Sequence, residues 1–318
     1  MSLFQTKKIQ SILVLIIVLA GILWIFQDNF FKVYALKKSN DQMQNIDDDN
    51  KAKPYLEKIE NFAMDEYSTN EKILYTINAD TYFSYTNSPI ELIDILVKTF
   101  DQKQQEGAAM TSNHAQILDT GEIVFNGNVN IQTINNVYHE VDSETLVFDS
   151  DNGQIKTDTT VFYKGERAKI KANGMLMNID NDKLLLKDSV NINHESGSVI
   201  DSSELSINHS NGEKIYSSEN KTLYRSDENK ITANSGLIMD MNKNSINLLG
   251  KVTILQNSGT KINTSNLQID NSNDEEIYQT DYPTEYISSQ LNIKANKMYY
   301  DVTSQNIDLF GAVNAVYE

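Results

Sequence analysis

The feature that most restricts how this chain can fold is a self-similarity with a period of about 61 residues, the scale of a stacked repeat. The segments GEIVFNGNVN from Gly121, DKLLLKDSVN from Asp182, NSINLLGKVT from Asn244 and SQNIDLFGAVN from Ser304 follow one pattern. Aligned, they place Gly127, Asp188, Gly250 and Gly311 in register at nearly equal intervals. Val129, Val190, Val252 and Val313 keep the same intervals, as do Phe125, Leu186, Leu248 and Leu309. Ile123, Leu184, Ile246 and Ile307 begin the series, and Ile131, Ile192, Ile254 and Ala315 close it. A long period of this kind belongs to a unit that buries its apolar face by stacking on its neighbours.

Within each copy the apolar positions lie two residues apart. Side chains alternate between faces of a strand, so the whole series shares one face, whereas a helix would scatter it. The spacing predicts a strand of about nine residues, or roughly 30 Å. A glycine at the middle of a strand signals a bend or bulge, and Gly127, Gly250 and Gly311 are read as bends. Asp188 takes that place in the second copy.

The remainder of the unit also repeats. VDSETLVFDSDNGQI from Val141, IDSSELSINHSNGEKI from Ile200 and INTSNLQIDNSNDEEI from Ile262 share apolar positions, Leu146 and Phe148 among them. KIKAN from Lys169, KITAN from Lys230 and NIKAN from Asn292 follow. Each unit is expected to supply about four short strands separated by Asn, Asp, Ser and Gly turns. In the preceding part, Ile73, Tyr75, Ile77 and Ala79 alternate as a strand. SPIELIDILVKTF fits a helix through Ile90, Ile93, Val97 and Phe100, or a strand through Ile93, Ile95 and Val97; a strand-rich neighbourhood, which must satisfy its edges, favours the strand.

The amino-terminal segment differs in kind. Ile9 to Phe26 contains eighteen residues without a charge, nearly enough for a helix to cross a ~30 Å hydrocarbon core. It exceeds the apolar core of a cleavable signal peptide, and bulky residues separate it from the loose cleavage site VYA at Val33. The expected division is a cytoplasmic tip at 1–8, a transmembrane anchor at 9–27, a polar, flexible stalk at 28–53 and the β-body beyond it. The acidic body is expected outside the cytoplasm.

Composition excludes several chemistries. A net charge of -17 opposes binding to nucleic acid or anionic membrane surfaces. The absence of cysteine removes thiolate chemistry and cysteine-held zinc. His114, His139, His194 and His209 lack metal-ligand spacing and are expected to be exposed. DSDNG from Asp149 and NIDNDK from Asn178 lack the glycine and glutamate of a calcium loop and are read as hairpin turns. No nucleophile elbow, phosphate loop or dinucleotide fingerprint occurs. The expectation is a non-enzyme without metal or cofactor.

The order of anchor, stalk, FAMDEYSTNEKILYTINADTYFSY, ILVKTF, NHAQILDTGEIVFNGNVNIQ and the repeat through VDSETLVFDSDNGQIKTDTTVFYKGERAKIKANGMLMNIDNDKLLLKDSVNI resembles the LptC family of lipopolysaccharide export. The resemblance covers about residues 5–195. Residues 196–318 resemble further OstA/LptA-like units, giving expected bodies at 54–195 and 196–318. The resemblance implies an all-β, open, twisted β-jellyroll of antiparallel strands behind one transmembrane helix, in the inner membrane with its bulk in the periplasm. It further implies lipopolysaccharide as ligand, LptB, LptF and LptG as transporter partners, and LptA or a similar jellyroll at the carboxyl-terminal edge.

On this chain the implied lipid-facing surface comprises Tyr75, Ile77, Ile123, Phe125, Val129, Ile131, Leu146 and Phe148 in the first part. Leu184, Leu186, Val190, Ile192, Ile246, Leu248, Val252, Ile254, Ile307, Leu309 and Val313 continue it. Tyr55 to Phe62 becomes the edge toward LptF, and Ile307 to Val316 the edge toward LptA. An anchored structural or adhesive β-repeat protein without a lipid path is the alternative.

Overall fold

Period-two alternation becomes strand throughout the computed structural model, which describes residues 54–318 except 102, 134–138, 180–182, 273–274 and 318. The expected anchor and stalk lie outside the described residues. Tyr55 to Glu318 form one unit whose strands join in a single 24-stranded antiparallel sheet. Among the described residues a 3-10 turn spans Ser210–Gly212, and no helix is long and apolar enough to cross a membrane.

The chain begins with four long strands: β1 (Glu57–Tyr67), β2 (Ile73–Tyr85), β3 (Ser88–Phe100) and β4 (Glu106–Ile117). The first repeat supplies long strands β5 (Ile123–Thr133) and β6 (Glu140–Asp149). Short strands β7 (Gln154–Thr157), β8 (Val161–Lys164), β9 (Ala168–Ala172) and β10 (Met175–Asn178) follow. The second repeats this plan with β11 (Lys183–His194) and β12 (Val199–Asn208), then β13 (Ile215–Ser218), β14 (Thr222–Arg225), β15 (Asn229–Ala233) and β16 (Leu237–Asp240). The third has β17 (Ser245–Gln256) and β18 (Lys261–Asp270), then β19 (Ile277–Thr280), β20 (Thr284–Ile287), β21 (Leu291–Ala295) and β22 (Lys297–Asp301). β23 (Asn306–Phe310) and β24 (Asn314–Tyr317) end the chain.

A unit therefore contains six strands, two long and four short, rather than the expected four. The register gives the reason. The amino-terminal half of β6 pairs with β8, from Glu140↔Lys164 to Ser143↔Val161, while its carboxyl-terminal half pairs with β7, from Val147↔Lys156 to Asp149↔Gln154. β12 divides in the same way between β14 and β13, and β18 between β20 and β19. On their other sides, β11 takes β9 and β10, and β17 takes β15 and β16. Long strands run through both halves of the sheet, whereas each return path breaks into one short strand per half. One sheet is thus folded along a line through the middle of its long strands. Half-sheet I contains β7, β10, β13, β16, β19, β22 and β23; half-sheet II contains β8, β9, β14, β15, β20, β21 and β24.

Bulges mark the fold line. The β5–β6 register slips between Asn126 and Val129, the β11–β12 register between Lys187 and Val190, and the β17–β18 register between Leu248 and Lys251. At these slips Gly127 has φ 75°, Asp188 45° and Gly250 75°. A left-handed residue costs glycine nothing, and aspartate is among the few others that tolerate it. Asp188 is exposed, so its carboxylate stays in water.

SPIELIDILVKTF is strand β3, but not with the anticipated face. Leu92, Ile95 and Val97 are buried, while Ile93 is only half-buried. Asp94 sits between them at φ 50°, and this left-handed residue exchanges the two faces of the strand. The expected single strand Ile307 to Val316 is also divided, into β23 and β24, with Gly311 at φ 70° between them. In earlier copies a following long strand pairs with both halves and holds them in line. Here β23 pairs with β22 and β24 with β21, so each half ends alone.

Candidate functional site

Folding the sheet turns the registered face inward. Ile123, Phe125, Val129 and Ile131 of β5, Leu146 and Phe148 of β6, and Tyr75 and Ile77 of β2 are all buried. So are Leu184, Leu186, Val190 and Ile192 of β11, and Ile246, Leu248, Val252 and Ile254 of β17. These residues join one continuous apolar cluster. Ile307 and Leu309 pack against it half-buried, and Val313 is 53% exposed. Removing each such side chain from water stabilises the fold by roughly 1.5–3 kcal/mol.

Short strands complete the lining, and most of their contribution was missed at the sequence level. Ile170 and Ile231, Ala172 and Ala233, and Tyr163 and Tyr224 are buried between the half-sheets. Each pair is separated by the interval that relates Gly127 to Asp188, so the same period that revealed the long strands would have found them.

The outer margins of the half-sheets, which we term rims I and II, meet. Tyr75 on rim II packs edge-to-face on Phe148 of rim I with ring centres 5.6 Å apart. Further along, His139 on rim II stacks on His209 of rim I at 4.4 Å. The Tyr163 and Tyr216 hydroxyls lie 3.1 Å apart, and Lys214 pairs with Glu166 across the same gap. Tyr224 donates to Glu276 Oε1 at 2.5 Å, and Tyr278 donates to the same oxygen at 2.8 Å. Gln256 Nε2 donates to the Tyr300 hydroxyl at 2.9 Å. Burial pushes the Tyr163, Tyr224 and Tyr278 hydroxyls well up and Tyr216 to about 12, so all are protonated donors at neutral pH.

The histidines overturn the expectation of exposure. His139, His194 and His209 are 1%, 6% and 4% exposed, and His114 is half-buried. His139 Nδ1 is 2.9 Å from the Tyr163 hydroxyl. Among the described residues His139 Nε2 and both ring nitrogens of His209 are buried without a partner. Burial, and secondarily the neighbouring His209, pushes His139 down from 6.5 to about 3. Burial, assisted by Lys214, pushes His209 down to about 4, against an opposing contribution from Glu166. Burial also lowers His194.

A depressed histidine is neutral in the fold but protonated in the unfolded chain below about pH 6.5. The unfolded state then binds more protons, so stability is full above that pH and falls as the pH drops toward the folded values. The slope approaches roughly 1.4 kcal/mol per pH unit for each such histidine. Urea unfolding is expected to show a lower midpoint at pH 5 than at pH 7.5. A His139→Asn/His209→Asn double variant should lose most of that difference; an undiminished difference would assign it to carboxylates.

The described residues contain no group of three or more His, Cys, Asp or Glu side chains arranged to hold a metal ion. DSDNG lies at the β6–β7 hairpin, where Asp149 Oδ1 accepts from the Asn152 backbone N–H at 3.1 Å. A comparison with curated proteins returned no match. The family model described as lipopolysaccharide-assembly, LptC-related, matches residues 12–195 and 213–318. The match covers most of a chain whose apolar face is buried along three registered copies and half-buried at Ile307 and Leu309 of the fourth, and the chain belongs to the LptC-related lipopolysaccharide-assembly family, whose members are membrane-associated periplasmic transport components rather than enzymes.

Proposed function

We propose that the space between the half-sheets is an apolar conduit. It takes the acyl chains of lipopolysaccharide from the inner-membrane ABC transporter and passes them toward the outer membrane. The observation that carries this reading is the continuity of one apolar face through β5, β11 and β17 into β23. Each methylene shielded from water contributes about 0.8 kcal/mol, so several acyl chains require a long lining of this kind. The sheet is passive, and ATP hydrolysis by LptB supplies direction.

In this reading residues 9–27 anchor the chain beside LptF and LptG, and 28–53 form the stalk. The body opens as a jellyroll when loaded. β1 pairs with β2 alone, leaving one edge for strand addition toward LptF. β24 pairs with β21 alone and is exposed along its described length, which suits strand addition by LptA or a similar jellyroll. Residues 196–318 act as an OstA/LptA-like extension of the same conduit. In support, β11 and β12 remain paired from Lys183↔Asn208 to Asn193↔Val199 on either side of the 195/196 division.

A photo-crosslinking residue at Phe125 or Leu248 is expected to capture lipopolysaccharide in an ATP-dependent manner in cells. Capture only from the outward positions Asn126 or Asn247 would overturn the proposal. A second reading, an anchored structural β-repeat with no lipid path, draws support from the contact between the rims. It requires that disrupting the interior lower stability without altering envelope permeability or the delivery of lipopolysaccharide to the cell surface.

A further inference from the structure

We propose that the line of contact between the rims is a lateral latch, and that its polar stretch, from His139 to Tyr278, is the part that opens to admit lipid sideways. The inference rests on the conduit reading above. While the rims touch, the conduit's own side chains fill it: Phe125, Leu186 and Leu248 are 0% exposed. An acyl chain therefore needs the half-sheets to part.

The contacts along the seam differ in kind. Toward the amino terminus they are apolar, with Tyr75 on Phe148 and Gly107 facing Ile179. From His139 onward they are hydroxyls, imidazoles, an amide, the Glu166 and Glu276 carboxylates and the Lys214 ammonium meeting across the gap. Polar contacts can be exchanged for water or for another hydrogen-bonding group, whereas parting an apolar strip exposes it. Closure also leaves His139 Nε2 and both His209 nitrogens buried without partners among the described residues, a cost that opening relieves. On the opposite side the half-sheets share uninterrupted long strands, and the bulges at Gly127 and Gly250 provide the hinge.

The groups that close the empty latch are also suited to its open state. An amphiphile with its tails inside presents amide, ester and sugar hydroxyl groups at this margin. Tyr163 and Tyr216 then exchange their contact with one another, and Tyr224 and Tyr278 their contacts with Glu276, for hydrogen bonds to that head–tail junction.

The chain lacks cysteine, so an introduced pair supplies its only thiols. The test uses the full chain in detergent with a photo-crosslinking residue at Phe125 and purified lipopolysaccharide as the probe. His139→Cys/His209→Cys and, separately, Ser226→Cys/Tyr278→Cys, at positions just after β14 and in β19 whose hydroxyls lie 3.4 Å apart across the seam, are bridged by a short, reducible bifunctional thiol reagent. Bridging either pair is expected to reduce capture at least tenfold, and reduction to restore it. Undiminished capture by both bridged forms would overturn the latch while leaving the conduit intact. Capture by no form, bridged or reduced, would overturn the conduit and the latch with it.

Discussion

Gly236→Ala is expected to prevent folding, whereas Gly121→Ala is expected to cost only about 1–2 kcal/mol. Both glycines have positive φ, 99° and 84°, so the intrinsic penalty for a side chain is similar. Their surroundings decide the difference. A Cβ at Gly121, in the β4–β5 turn, would meet nothing within 4 Å. At Gly236 it would lie 1.8 Å from the Ser218 carbonyl oxygen and 2.9 Å from the Glu219 Cα. Those are backbone atoms at the end of β13, and β13 is paired with β16 through Ser218↔Leu237. No rotamer change relieves the overlap; one of the two strands must leave the sheet. Losses above about 4–5 kcal/mol are exceptional for a point change, and this mechanism supplies one. Circular dichroism and thermal unfolding of both variants provide the check. A Gly236→Ala protein melting close to the parent would contradict the close approach of these strands.

The long strands were legible because their pattern is local. Alternation and a glycine at a fixed offset survive any tertiary arrangement, and four copies in register multiply the signal. The return strands were less legible because each is only four or five residues long. Their division reflects which half of a long strand they pair with, and that information resides in the partner. The reversal of faces in β3 depends on one left-handed residue, Asp94, in a sequence that contains many aspartates in ordinary conformations.

The pairings along the seam were not legible. His139 lies just before β6 and His209 just after β12, while Tyr163 and Tyr216 belong to β8 and β13, so each pair joins successive repeats rather than neighbours in the chain. Each residue reads locally as a polar group in or beside a turn or a short strand. What buries them is the meeting of opposite rims, which exists only after the sheet has folded. The apolar face could be traced residue by residue from its period, whereas the polar contacts that join the rims over it depend on the folded arrangement.

Truncating the registered face is expected to give graded losses along the chain, not equal ones. Phe125 is 0% exposed, and β5 is paired on both sides, with β4 and β6. Phe125→Ala therefore leaves a cavity that its neighbours cannot fill, at a cost of about 3–5 kcal/mol. Leu309 lies on β23, whose one partner is β22, and is half-buried; Leu309→Ala is expected to cost about 1 kcal/mol. Val313 is 53% exposed, and Val313→Ala should remain within about 0.5 kcal/mol. In a stack of units each rung is stabilised by its neighbours, so the last rung is weakest for want of a following one. Urea midpoints of the three variants give the comparison. Equal losses at Phe125 and Val313 would mean that the final rung is already covered in solution, and the place to look for that cover is the unpaired edge of β24.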